Sequence, residues 1–189
     1  MTRTKLIGAA VIVVVLLAGA STVAVAAVTG GVSSTGTAPN GQCSAPALPG
    51  TVVNVDLVDM GGGTMMGGRT MMGGWTGGMM RVLASRAQVP AGTVSFRVVN
   101  TGSLVHELVV LPLPSGQRVG ERAVGSDGRV DETGSVGEAS KTCGAGAGDG
   151  INPGAIGWVT LQLAPGDYEL VCNLPGHYAA GMYAFLAVR

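Results

Sequence analysis

The sequence is poor in charge, in aromatic rings and in histidine. Charged residues make up 12% of its 189 positions, against about 25% in an ordinary soluble domain. Its 11 Lys+Arg and 11 Asp+Glu cancel. Without a basic excess the chain cannot neutralise a phosphate backbone, which argues against nucleic acid as a partner. Two His and three Cys cannot furnish a multinuclear site that needs many imidazoles. The length suits one domain and is too short for a two-domain dehydrogenase or a barrel enzyme. Glycine is in excess, with 33 residues where the average chain of this size has about 7%.

The N-terminus separates from the rest. Arg3 and Lys5 precede an apolar run, Leu6–Ala20, and Ala24-Val25-Ala26 fits a small-x-small cleavage site. That order is the order of a secretory signal. The same stretch also reads as a retained anchor, because the 23 residues Leu6–Val28 carry no charge and are long enough to span a bilayer. Cys43 lies too far from the run to be a lipoprotein cysteine. Either reading exports the remainder to the extracytoplasmic face, periplasmic or secreted, and the anchor reading adds membrane association. Removal of residues 1–26 leaves nine basic and eleven acidic groups, a net charge of −2.

Residues 1–28 are thus expected as signal or anchor and 29–43 as a flexible linker rich in Gly, Ser, Thr and Ala. The folded domain is expected over 44–189. There the pattern is β. Val53, Val55 and Leu57 alternate with Asn54 and Asp56 in Thr51–Asp59, the period of a half-buried strand. Arg81–Ser85, Thr93–Val99, Leu104–Leu111, Trp158–Leu163, Tyr168–Cys172 and Met182–Val188 continue it. Gln88–Gly92 and Ala164–Asp167 read as turns. Short strands between Gly/Pro turns predict an all-β sandwich or barrel. Two stretches do not fit: a Met/Gly-rich insertion over 60–80, and Pro112–Ile156, where only weak strand or turn content is expected.

The chemistry is concentrated in Cys172–Met182, which reads Cys-x4-His-x4-Met in a loop between two strand runs. The only other histidine, His106, lies 66 residues before Cys172 on a separate run. A thiolate, two imidazoles and a weak axial thioether make a blue copper site, and Cys172, His177, His106 and Met182 supply them. A lone His or Met is more often a packing residue. Here both histidines of the chain fall where that site needs them.

On these residues the chain resembles the cupredoxins, the small blue copper proteins of the plastocyanin, azurin, rusticyanin and sulfocyanin kind. The resemblance covers about Thr51–Arg189. It rests on Val105-His106-Glu107-Leu108 and the Cys172–Met182 loop, with Gly166–Val171 and Tyr183-Ala184-Phe185 flanking it. It implies a Greek-key β-sandwich, one type 1 copper ion, equatorial ligands His106, Cys172 and His177, and axial Met182. It implies one-electron transfer. Two departures stand out. Glu107 occupies the place where many members carry an Asn that ties the ligand loops together, and Val105, not Gly, precedes the first His.

With Cys172 committed to the metal, Cys43 and Cys143 remain and are expected to pair in an oxidising compartment. The alternative is two unrelated thiols. In the insertion, the segments 64–69, 70–75 and 76–81 form an imperfect repeat holding Met65, Met66, Met71, Met72, Met79 and Met80. Thioethers are soft donors that select Cu(I), so these six form a candidate secondary Cu(I) site. A partner-contact surface and a neutral insertion are the alternatives.

Two functions follow. One is an exported carrier passing single electrons between redox protein partners through an uncharged patch around His177, formed by Leu174, Pro175, Tyr178, Ala179 and Ala180. The other is a copper storage or delivery protein that captures Cu(I) on the Met repeat. An enzyme is not expected, because both histidines are committed and four protein donors leave no open position for substrate.

Overall fold

The computed structural model describes residues 43–59 and 80–189. Nine strands follow in order: β1 Thr51–Asp59, β2 Met80–Ala84, β3 Gln88–Val89, β4 Gly92–Asn100, β5 Leu108–Pro112, β6 Gly137–Ala139, β7 Ile156–Leu163, β8 Gly166–Val171 and β9 Tyr183–Val188. There is no α-helix among the described residues, and none long and apolar enough to cross a membrane. The strands form two sheets, ordered β2-β1-β4-β7 and β3-β9-β8-β5-β6. The chain passes from sheet to sheet repeatedly. It therefore brings β1 beside β4 and β3 beside β9 in parallel, while the other neighbours are antiparallel. This is the all-β Greek-key sandwich the sequence predicts.

The alternation of each strand sets its inner face. Val53, Val55 and Leu57 of β1, and Val94, Phe96 and Val98 of β4, meet Leu108, Val110, Leu170 and Leu186 of the opposite sheet in one core. Each such side chain contributes about 1.5–3 kcal/mol through burial.

β5 and β8 depart from alternation because both of their faces are covered. Val109, Leu111 and Val171 point away from the main core into a second cluster with Val130 and Tyr178. Val130 comes from the Pro112–Ile156 segment, which is better organised than expected. That segment supplies β6, paired with β5, and bridges at Val124↔Val130, Lys141↔Gly150 and Ala145↔Trp158. Cys43 and Cys143 are disulfide-bonded 100 residues apart.

Two local readings shift. Gln88–Val89, expected as part of a turn, pairs with the end of β9. The run Leu104–Leu111 becomes a strand only at Leu108. Asn100 turns the chain after β4, donating to the carbonyls of Leu104 and Ile151 and accepting from Gly102 N–H. Residues 101–107 are consequently loop, and His106 is held by a single antiparallel bridge to Ile151.

Candidate metal centre

Cys172 follows β8, and its N–H donates to the Met182 carbonyl at 3.0 Å. The two ends of the ligand loop are thus closed on each other. Between them the chain winds tightly: His177 N–H donates to Leu174, Ala180 N–H to Gly176, and Met182 N–H to His177. His106 reaches the same place from the other loop, exchanging backbone hydrogen bonds with Ile151 at 3.2 and 2.7 Å.

The side chains converge. His106 Nδ1 lies 3.2 Å from His177 Nδ1. Cys172 Sγ lies 3.3 Å from His177 Nδ1 and 3.9 Å from His106 Nδ1. These three donor atoms form the group that could hold a metal ion among the described residues. His106, Cys172 and Met182 are fully buried, while His177 is partly exposed. Met182 packs in the same cluster as Cys172. Burial pushes the Cys172 thiol up to about 12, against the pull of the Glu107 and Leu174 N–H groups. Burial, then the neighbouring His106, lowers the His177 pKa. The pocket therefore favours the neutral form of His177, and a cation beside the Cys172 thiol would favour the thiolate. Two imidazole nitrogens and one sulfur brought this close together are a soft-metal donor set, so the residues fit a copper ion.

Glu107 stands where many cupredoxins carry an Asn. Its N–H donates to Cys172 Sγ at 3.4 Å, which joins the two ligand loops through the backbone. The side chain is buried, Oε1 has no partner, and its pKa is pushed up to about 7 by burial and then by Glu132 and Glu138. Asn173 makes a side-chain tie. Its amide donates to the Val130 carbonyl and Glu132, and accepts from Val130 N–H. Sequence reasoning missed Asn173, whose only signal is adjacency to Cys172.

Around His177, Pro175, Gly176 and Ala179 are exposed and Leu174 and Ala180 partly so. Tyr178, expected in that uncharged patch, is buried. Its hydroxyl donates to Glu169 at 2.8 Å and accepts from Arg122 N–H. Leu104, from the His106 loop, is 47% exposed. Of the methionines in the candidate Cu(I) site, Met80 opens β2 and donates its N–H to the Ala180 carbonyl at 3.3 Å. Met65, Met66, Met71, Met72 and Met79 lie outside the described residues, as do the expected signal or anchor and nearly all of the linker.

A two-sheet sandwich with a buried His-Cys-His cluster at one end defines a blue copper protein of the cupredoxin class. The family model of the sulfocyanin (SoxE) domain matches residues 69–189, and the chain belongs to that family. Its cofactor is one type 1 copper ion. The chain is similar to the sulfocyanin of Sulfolobus acidocaldarius, with 36% identity over 104 residues, which are 52% of this chain and 47% of that protein. It thus spans about half the length of that curated relative. Among solved structures it is similar to reduced auracyanin of Roseiflexus castenholzii, with TM-score 0.43 and 20% identity over 75% of this chain and 98% of that one. It is also similar to rusticyanin of Thiobacillus ferrooxidans, with TM-score 0.41 and 22% identity over 78% and 80%.

Proposed function

We propose that the protein is a single-electron carrier in which His106, Cys172 and His177, with Met182 packed beside them, would hold the copper ion. The observation that carries this reading is the approach of two Nδ1 atoms and one buried sulfur from two loops closed by backbone hydrogen bonds. Copper bound there supplies a one-electron Cu(I)/Cu(II) couple. The chain keeps water away and fixes the donors in advance, so little has to move when the charge changes. All donors are protein side chains, which leaves no open position for substrate and favours a carrier over an enzyme. The partly exposed His177, with the exposed Pro175, Gly176 and Ala179 of its own loop, forms an uncharged face for brief docking of redox partners. Residues 1–28 act as export signal or membrane anchor and 29–43 as linker, with the copper domain over 44–189 outside the cytoplasmic membrane.

Copper titration and visible absorption test this. One Cu(II) per chain with an intense thiolate-to-copper band is expected, and Cys172→Ser abolishes the band. A Cys172→Ser protein that keeps the band would remove the thiolate from the assignment.

A second reading, Cu(I) capture by the Met-rich insertion for storage or delivery, is favoured by where the insertion is rooted. Asp59 and Met80 are partners in the β1–β2 register. Asp59 contacts His106, and Met80 is bonded to the ligand loop. Both attachment points therefore lie at the copper end.

A further inference from the structure

One buried carboxylate beside the metal centre has no task in the function above. Asp59 ends β1, and its side chain is 3% exposed. Its Oδ2 accepts from His106 Nε2 at 2.8 Å, from Ser103 N–H at 2.7 Å and from Leu104 N–H at 2.9 Å. Its Oδ1 accepts from the Ser103 hydroxyl at 2.7 Å. The two backbone N–H groups at Oδ2 can only donate, so the His106 tautomer that fits this acceptor is the one with its proton on Nε2, which leaves Nδ1 on the side of Cys172 and His177.

A second observation is independent of that chemistry. A Cβ added to Gly102 would lie 2.1 Å from Asp59 Oδ2 and 2.9 Å from His106 Nε2. The backbone lies against the pair so closely that only glycine leaves room for it.

We propose that Asp59 is a positioning residue of the copper centre, which fixes the His106 ring with Nδ1 toward the metal and places a negative charge one imidazole away from it. The proposal rests on the ligand assignment above. A carboxylate behind a ligand imidazole orients the ring and raises its basicity, and a fixed negative charge favours Cu(II) over Cu(I). Asp59 also clamps the end of β1 to the His106 loop.

The test compares wild type, Asp59→Asn and Gly102→Ala. In the wild type, nuclear magnetic resonance of the metal-free and Cu(I)-loaded protein is expected to show His106 protonated on Nε2, with slow exchange of that proton. Asp59→Asn keeps an acceptor but loses the charge. It is expected to retain copper and to lower the Cu(II)-to-Cu(I) affinity ratio at least tenfold, a rise in potential of about 59 mV. Gly102→Ala pushes the pair apart without changing charge, and is expected to speed exchange of the Nε2 proton and raise the potential in the same direction. If Asp59→Asn does not fold, Gly102→Ala and the wild-type tautomer decide. A metal-free wild type protonated on Nδ1, or affinity ratios within twofold of wild type in the folded variants, would overturn the proposal. Copper binding by the wild type without a charge-transfer band would instead overturn the ligand assignment, and the metal-free tautomer would still judge Asp59.

Discussion

Asn173 follows the thiol directly and is 1% exposed. It satisfies both the N–H and the C=O of Val130, and its own carbonyl accepts from Arg129 at 3.0 Å. Asn173→Ala would leave two buried backbone groups of Val130 without partners, at about 1–3 kcal/mol each. Urea denaturation of the metal-free variant is expected to show a loss of about 2–6 kcal/mol for the two groups together, and a loss below about 0.5 kcal/mol would mean that solvent replaces the tie. The donors at the site were legible residue by residue, because His106, Cys172, His177 and Met182 carry unusual chemistry at telling intervals. Asp59 and Asn173 were not. Each acts across more than 40 positions, and in an alternating strand a polar residue turned inward reads the same as one facing solvent. Glu107, a departure from the Asn many members carry, meets the sulfur through its backbone N–H, a contact that side-chain identity does not announce.

At the scale of elements, β1, β4 and β7 follow from period-2 alternation because one face of each has a core to meet. β5 and β8 do not alternate, since the 113–136 segment covers their outer side, and that cover rests on a polar network invisible to hydropathy. Glu169 of β8 is fully buried. It accepts from Arg122 Nε at 2.5 Å, Gly120 N–H at 2.7 Å and the Tyr178 hydroxyl at 2.8 Å. Arg122 also donates to the Pro112 carbonyl. One carboxylate thus joins β8, the covering segment and the residue after His177. Removing one partner of a buried pair costs about 3–5 kcal/mol, since the other charge is left unpaired. Glu169→Ala is expected to lose stability of that order, read from denaturant midpoints, and to free the 113–136 segment for hydrogen exchange. Unchanged protection there would mean that the apolar contacts of Val130 hold the cover without the network.

For the whole molecule, the question is what the insertion adds to a sandwich whose other parts already account for a copper centre. The disulfide ties residue 43 to residue 143, and a loop of that length is worth at most about 4–5 kcal/mol, so the domain is secured without the insertion. The β1–β2 register puts Asp59 opposite Met80, a spacing that a two-residue hairpin turn closes. Replacing residues 60–79 with Asn-Gly is therefore expected to preserve the fold, one Cu(II) per chain and the visible band. Gly-rich chain loses much entropy on ordering, so Cu(I) bound by the insertion is held more weakly than copper at the preformed centre. Titration with Cu(I) under reducing conditions is expected to give more than one equivalent for the full chain and one for the variant. Equal uptake would remove the capture reading and leave partner contact or a neutral insertion. Loss of the band would show that the hairpin end, with Asp59 at its root, depends on the insertion to keep His106 in place.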